Sequence, residues 1–118
     1  MLKEKDTIQI ARALVDALEN KKAEDIVLMD LQGVASFTDY FVICSGTSDR
    51  MLRSLVREAN DAMVKNHNLK GKDIGSASNG WIAVDYGDIV LHIFSPQQRE
   101  YYQLEELWSS GKTLLRVK

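Results

Sequence analysis

The chain has 118 residues, of which 45% are hydrophobic and 27% charged, with one proline, and this globular composition excludes a disordered chain. A net charge of −2 disfavours a protein that grips nucleic acid mainly through phosphates, so we expect no direct nucleic-acid readout. The single cysteine excludes an intrachain disulfide, and no apolar run approaches the ~20 residues of a membrane span. Without a visible signal peptide, the sequence predicts one cytoplasmic domain over residues 1–118 with no membrane contact.

Apolar periodicity in the first half of the chain predicts two helices with two strands between them. Apolar residues at helical spacing mark the helices, and short, nearly continuous apolar runs mark strands that are covered on both faces. The side chains of Asp6 or Thr7 and of Ser48 are placed to cap the two helices. The predicted elements are a helix that begins at Asp6 or Thr7, strands over residues 26–31 and 40–44 with a turn region over 33–39, and a helix over about residues 49–67.

Residues 81–94 predict a β-hairpin whose two faces differ in chemistry. The tip is placed at Tyr86-Gly87, which puts Asp85 opposite Asp88. Because side chains alternate across a strand, one face is aliphatic and belongs to the core. The other face mixes aromatic rings with acids, as protein-binding surfaces tend to do. The aliphatic face holds Ile82, Val84, Ile89, Leu91 and Ile93, and the second face holds Trp81, Ala83, Asp85, Asp88, Val90, His92 and Phe94.

The segments on either side of the hairpin complete the predicted fold. Residues 66–80 predict a loop, and Ser95 caps a last helix that ends at Gly111. Residues 113–117 add an edge strand or a tail. The order αββαββα predicts an α/β (α+β) domain in which helices pack on a single sheet. The strand–helix–strand step over residues 40–85 favours a mixed sheet over a wholly antiparallel one.

The spacing of the aromatic and aliphatic residues in the last helix indicates which of its sides faces the core. Tyr101, Leu104 and Trp108 share one stripe and are expected in the core. Arg99 and Tyr102 lie off that stripe, so we expect both to reach the surface.

Four catalytic or ligand sites are tested and discounted. The turn over residues 45–48 lacks the spaced glycines and the Lys-Ser/Thr of a phosphate-binding loop. A nucleotidyltransferase needs Asp-x-Asp on a strand, and here the strand supplies only Asp85. His67 and His92 have no partners at zinc-ligand spacing, and Cys44 within a strand run is typical of packing rather than of a nucleophile paired with His92. The sequence predicts no catalytic residue, metal or cofactor.

Two long segments, residues 25–48 and 81–108, closely resemble the ribosomal silencing factor family, also called Iojap or RsfS proteins. The resemblance covers most of the chain. It rests on Thr38-Asp39-Tyr40-Phe41, Ser45-Gly46-Thr47-Ser48, Asp85-Tyr86-Gly87-Asp88 with His92, and Tyr102-x-Leu104-Glu105-x-Leu107-Trp108. The sequence departs from the family pattern before Gly75, where Ile74 stands in place of an expected acid, so a partner contact by the loop at residues 72–80 stays open.

The resemblance implies a nucleotidyltransferase-like fold without the catalytic acids. It also implies binding to ribosomal protein L-fourteen on the large subunit, which blocks joining with the small subunit and lowers protein synthesis when nutrients are scarce. Residue by residue, Trp81, Asp85, Asp88 and His92 match the family's hairpin, and Tyr102 and Trp108 match its last helix.

The residues and the resemblance together predict a translation repressor that is not an enzyme. We also expect a weak homodimer of the free protein through the same hairpin face, because an apolar patch left in water tends to find a partner. A nucleotidyltransferase-type enzyme and a small homo-oligomeric scaffold remain the alternatives. The expected partner-binding residues are Trp81, Asp85, Tyr86, Asp88, His92, Phe94, Arg99 and Tyr102.

Overall fold

The computed structural model describes residues 4–118, with side chains described from residue 6. Within these residues no helix combines the length and apolar character needed to cross a membrane. The elements in chain order are α1 (Glu4–Asn20), β1 (Glu24–Asp30), β2 (Tyr40–Ser45), α2 (Asp49–His67), β3 (Lys72–Ser76), a 3₁₀ turn (Ala77–Asn79), β4 (Trp81–Asp85), β5 (Ile89–Phe94), α3 (Pro96–Tyr102), α4 (Leu104–Leu107) and β6 (Lys112–Val117).

All six strands form one mixed sheet in the order β3-β4-β5-β2-β1-β6. β2 and β5 are parallel, and every other neighbouring pair is antiparallel. A parallel pair needs a long crossover, which α2 and the β3–β4 hairpin supply between β2 and β5. The predicted α+β class with a single mixed sheet is confirmed, and residues 112–117 form an edge strand beside β1.

The helices α1 and α2 cover one face of the sheet, which we call the inner face. Their predicted apolar stripes are buried, with Leu14, Leu18 and Leu55 each fully excluded from solvent. Ser48 caps α2 as predicted, since its Oγ accepts a hydrogen bond from the backbone N–H of Met51 at 3.1 Å. The strands supply aliphatic partners on this face, namely Leu28, Val42, Val84, Ile89, Leu91 and Ile93.

Three predicted helix and loop boundaries are wrong. The helix α1 already begins at Glu4, so Asp6 and Thr7 lie inside it rather than at its cap. The predicted last helix breaks at Gln103, whose φ of 49° is left-handed, and α4 ends at Leu107, before Gly111. Residues 66–80 contain β3, which lies at the sheet edge with mostly exposed side chains and therefore shows no apolar alternation.

The β4–β5 hairpin has the predicted faces but a different register. Trp81 pairs with Phe94 and Asp85 with Val90, two residues away from the predicted pairing. The loop is Gly87-Asp88, closed by a bond from the Tyr86 N–H to the Ile89 carbonyl, and Gly87 supplies a positive φ of 94°. A shift by two residues keeps every side chain on its own face, which is why the core face was predicted correctly despite the wrong register.

Candidate protein-binding surface

The second face of the sheet, the outer face, carries a continuous layer of rings that α3, α4 and the loop after β1 cover only in part. Phe37 and Trp108 both contact Phe41, with ring centroids 6.0 and 5.7 Å apart. Phe41 lies 4.5 Å from the ring of His92. We call this set the aromatic layer, and it consists of Phe37, Phe41, Trp81, His92, Phe94, Tyr102 and Trp108.

The aromatic layer is buried in its middle and exposed at both ends. Phe41 and Phe94 are 2% and 1% exposed, whereas Phe37 is 57% exposed and Tyr102 44%. Two further apolar side chains are exposed on neighbouring elements. Ile74 on β3, which lines a cavity with Trp81 and Tyr102, is 53% exposed, and Leu107 on α4, next in the chain to Trp108, is 72% exposed. Exposed apolar surface of this kind, gathered on one face, is typical of a protein-binding site.

A cavity of about 290 Å³ opens beside the Tyr102 end of the layer. Its wall includes Ile74, Trp81 and Tyr102, and its floor includes Ala83. Gly75 lies at this wall with a φ of 90°, and a Cβ there would lie 2.4 Å from the carbonyl oxygen of Trp81, so only glycine fits. The cavity therefore combines aromatic walls with a closely approaching backbone.

One edge of the sheet beside the aromatic layer is acidic. Asp85 and Asp88 are both exposed, and neither has an ion-pair partner within the part of the chain whose side chains are described. The Oδ1 atom of Asp85 accepts a hydrogen bond from the backbone N–H of Gly87 at 2.8 Å, which fixes the loop. We call this the acidic edge, and it comprises Asp39, Asp85 and Asp88, at the end of β4 and before β2 and β5. Lys72 of β3 pairs with Asp85 at the same end of the strands, so the edge carries three acids and one base.

Arg99 was expected at the surface, and the structure corrects this. Its side chain is only 10% exposed. Its guanidinium donates to the carbonyl of Asp25 at 2.6 Å and to the Oγ of Ser45 at 3.0 Å. It also forms a two-point ion pair with Glu105, with Nε and the second NH2 group 2.7 and 2.6 Å from Oε1. Such a buried cation needs these partners, so Arg99 joins α3 and α4 to β1 and β2 rather than facing a partner.

Tyr86 and Phe94 were also predicted as contact residues, and both side chains are buried. Tyr86 is 6% exposed, packs in the inner-face core and donates from its hydroxyl to the Asn60 side chain at 2.7 Å. The register difference explains this, because Tyr86 precedes the loop and shares the inner face with Ile89. Phe94 is 1% exposed beneath Trp81, with ring centroids 4.9 Å apart. Neither ring can touch a partner in this conformation.

Trp81, His92 and Tyr102 lie together on the outer face. Trp81 is half-buried, and its Nε1–H donates to Nδ1 of His92 at 3.2 Å. Its ring lies 4.6 Å from that of Tyr102. His92 is 7% exposed, and burial lowers the pKa of its imidazole to about 4, so the ring is neutral at physiological pH.

Sequence reasoning missed the exposed ends of the surface and misplaced one residue of α3. Phe37 lies in the predicted turn region, where a single phenylalanine gives no periodic signal. Ile74 lies in the predicted loop. Tyr101 was expected in the core and is 77% exposed, because the helix break at Gln103 separates its face from that of Leu104. Leu107 appears in the family motif but carried no predicted contact.

The fold does not bring together the turn over residues 45–48 and Asp85, the two features that were tested for nucleotidyl transfer. Residues 45–48 follow the end of β2, which lies beside the end of β5, whereas Asp85 pairs with Val90 near the start of β5. The two features therefore lie towards opposite ends of the strands, about 13 Å apart along the strand direction. Among the described residues no group of three or more His, Cys, Asp or Glu side chains could hold a metal ion. Cys44 packs on the inner face and His92 on the outer face, which also rules out their pairing.

The fold places the chain among small α+β proteins with one mixed sheet. Over 86% of its length it resembles a crystal structure of a protein from Chromobacterium violaceum, with a TM-score of 0.80, 29% identity and 84% of that chain covered. The family model described as ribosomal silencing factor during starvation matches residues 4–117, and the chain belongs to this family.

Two curated relatives agree with the family assignment. The chain is 38% identical over 110 residues to ribosomal silencing factor RsfS of Bacillus subtilis, covering 93% of this chain and 91% of that protein. It is 37% identical over 106 residues to mitochondrial assembly of ribosomal large subunit protein 1 of Mus musculus, covering 81% of this chain and 43% of that protein. The family supports a ribosome-associated silencing role for this chain.

Proposed function

We propose that this protein represses translation by binding the large ribosomal subunit at ribosomal protein L-fourteen and blocking its joining with the small subunit. The observation that carries the proposal is the outer face, where exposed apolar side chains lie beside an acidic edge. Such a face matches a basic protein partner better than bare RNA. The name of the mouse relative links that protein to the large subunit, and the family description links silencing to starvation. We propose action in the cytoplasm under nutrient limitation.

The proposed contact has an apolar centre and a charged rim. Trp81 and Tyr102 lie at one end of the aromatic layer, and Phe37 lies at the other. Aromatic anchors usually dominate the binding energy of such interfaces. Asp85 and Asp88 then meet basic groups of the partner at the rim, where charges speed association more than they add affinity. The protein acts by occupying a surface, so no catalytic step is needed.

Sedimentation with purified subunits tests the proposal. We expect the protein to travel with large subunits and not with small subunits or protein-free ribosomal RNA. Added in excess, it should reduce the formation of joined ribosomes from the two subunits. Equal binding to bare ribosomal RNA would contradict a protein partner.

Trp81→Ala is the first variant for this assay. Truncating an aromatic anchor commonly costs about 2 kcal/mol of binding. The matched control is Val64→Ala, since Val64 is 50% exposed on α2 and belongs to the other side of the sheet. We expect Val64→Ala to bind as the unchanged protein does. If Trp81→Ala is less stable but its folded fraction still binds with unchanged affinity, Trp81 does not contribute to the interface.

We also propose a weak homodimer of the free protein through the outer face. The exposed ends of the aromatic layer support it, because one apolar patch can serve both chains of a two-fold dimer. The dimer should compete with the ribosome for the same surface. Leu107→Asp tests this in light scattering, since Leu107 is exposed, whereas a charge at the buried Phe94 would disrupt folding. A dimer that persists in the variant would place self-association elsewhere.

The proposal treats the protein as a regulator without nucleotidyl transfer. The separation of the residue 45–48 turn from Asp85 supports this. Labelled nucleotide should not be incorporated in the presence of Mg²⁺. Incorporation that is lost in Asp85→Asn would favour the enzyme instead.

A further inference from the structure

The imidazole of His92 holds a buried hydrogen-bond donor that the folded chain does not use. Nδ1 accepts the Trp81 Nε1–H at 3.2 Å, so in the neutral ring the proton is on Nε2. Nε2 is buried and has no hydrogen-bond partner among the residues whose side chains are described. Buried polar groups are nearly always paired, and an unpaired one lowers stability. Nδ1 therefore has a role within the fold as the acceptor for Trp81, whereas the Nε2 donor has none among the described side chains.

Packing alone does not explain a histidine at this position. The rings of Phe41, Trp81 and Phe94 surround the imidazole, at centroid distances of 4.5, 5.9 and 6.3 Å. A phenylalanine would fill the same space without burying the Nε2–H, but it would leave the half-buried Trp81 Nε1–H without its acceptor. Because Nε2 lies at the end of the ring remote from Cβ, it is directed away from the strand on the outer face. That is the side on which Tyr102 and Phe37 are exposed.

The charges around the aromatic layer indicate which kind of partner atom accepts a hydrogen bond from the His92 Nε2–H. Asp85 and Asp88 are exposed on the acidic edge and lack ion-pair partners among the described side chains. They attract basic groups and repel phosphates. A neutral imidazole adds no positive charge that could hold a phosphate. A protein segment that carries basic side chains and offers an uncharged carbonyl oxygen satisfies both features.

We propose that His92 is the central hydrogen-bond donor of the partner-binding face, and that its Nε2–H binds a main-chain carbonyl or side-chain amide oxygen of a basic protein partner. This inference rests on the proposed function, in which that partner belongs to the large subunit. The atom is covered in the free protein, so binding includes a shift of a neighbouring ring. Side-chain rearrangements of this kind are common at interfaces. Trp81, which is half-buried, is the most accessible of the three rings that contact the imidazole.

The test compares His92→Phe with a packing control, Ile43→Val. Ile43 lies directly beside His92 on β2 and is fully buried. Two quantities are measured for each protein: the melting temperature and the affinity for isolated large ribosomal subunits. His92→Phe should change the melting temperature little, because it removes the unpaired Nε2–H but also the acceptor of the Trp81 Nε1–H, while its affinity falls roughly tenfold. Ile43→Val should lower the melting temperature and leave the affinity unchanged.

A direct readout uses protein labelled with ¹⁵N in its histidines. The free protein should show the Nε2–H tautomer at His92, and saturation with purified ribosomal protein L-fourteen should shift this signal and slow its exchange with water. His92→Gln, which retains an N–H donor of similar reach, should recover part of the affinity that His92→Phe loses.

The outcomes separate this inference from the proposed function. If the unchanged protein binds large subunits and His92→Phe binds equally well, the inference is overturned and the proposed function stands. If His92→Phe loses stability and affinity together, the histidine is structural and the inference is again overturned. If the unchanged protein does not bind large subunits at all, the proposed function fails and the inference fails with it.

Discussion

The two faces of the sheet are both largely buried, yet they are built from different chemistry. The inner face is aliphatic, and Leu28, Val42 and Leu91 there are fully excluded from solvent beneath α1 and α2. The outer face is aromatic, contains a buried histidine, and leaves Phe37 and Leu107 exposed at its margins. The inner face contains what a stable core requires. The outer face adds exposed rings and an unpaired histidine N–H to its buried cluster, and these mark the surface that we propose for binding.

The β4–β5 hairpin makes this comparison sharp because it contributes to both faces. Leu91 lies on the inner face and its chain neighbour His92 lies on the outer face. The two residues share a strand and differ by one position in register. Substitutions at the two sites therefore test stability and binding separately within the same local backbone.

The largest expected effect is on the inner face. Leu91→Ala should lower the free energy of unfolding by about 3 kcal/mol, because it removes apolar contacts and leaves a cavity at a fully buried position. Urea unfolding measures it. The folded fraction should bind large subunits as the unchanged protein does. A comparable loss of affinity in that fraction would show that the two faces are coupled, against the division proposed.

The next effect concerns the residue that joins the α3–α4 segment to the sheet. Arg99→Ala leaves Asp25 and Glu105 without their main cation, and we expect a loss of about 2 kcal/mol in the free energy of unfolding, since both carboxylates remain partly exposed. Arg116→Ala is the matched control, because Arg116 is 42% exposed and lies 3.8 Å from Asp25. It should change stability by less than about 0.5 kcal/mol. Equal losses in the free energy of unfolding for the two variants would show that Arg99 does not hold the α3–α4 segment to the sheet.

The sequence predicts the inner face well and the outer face less well, for physical reasons. Burial on the inner face leaves a periodic pattern, so the stripes of α1 and α2 and the hairpin's aliphatic face are readable from the chain. The β3 strand lacks that pattern because it lies at an exposed edge, and Ile74 was therefore placed in a loop. The register of the hairpin cannot be predicted from the sequence either, because Gly87 fits both the second position of a Tyr86-Gly87 tip and the first position of a Gly87-Asp88 tip. The hydrogen bond from the Tyr86 N–H to the Ile89 carbonyl identifies the second arrangement.

Candidate contact residues are harder still, because residue type does not reveal burial. Trp81, Asp85, Asp88 and Tyr102 keep some exposure on the outer face or its edge, whereas Phe94 lies beneath Trp81. Arg99 shows the same limit for charge. An arginine on a helix is usually solvated, and only the structure shows Asp25, Ser45 and Glu105 around it. Family resemblance suggests the proposed partner, and the structure shows which side chains are exposed to meet it.

A moderate effect is expected at the exposed margin of the outer face. Leu107→Ala should change the free energy of unfolding by less than about 0.5 kcal/mol, because the side chain is 72% exposed. It should weaken binding to large subunits by about 1.5 kcal/mol if the side chain becomes buried in the complex. Val64→Ala, with similar chemistry on α2, again serves as control. Equal binding by the two variants would confine the interface to the Trp81 end of the layer.

The smallest effect is a pH dependence that only the outer face should produce. Burial lowers the pKa of His92 to about 4, below its ordinary value of 6.5, so the unfolded chain binds the proton more tightly than the folded protein does. Stability from this residue is therefore complete above pH 6.5 and is lost as the pH falls towards 4. Between pH 7.5 and pH 5.5 the loss should be about 1 kcal/mol. Urea unfolding of the unchanged protein and of His92→Phe at both pH values isolates the histidine, because titrations elsewhere in the chain cancel in the difference. The unchanged protein should lose more stability on acidification than the variant. If both lose the same amount, His92 is already solvated in the folded protein, and the outer face is more open than its packed rings indicate.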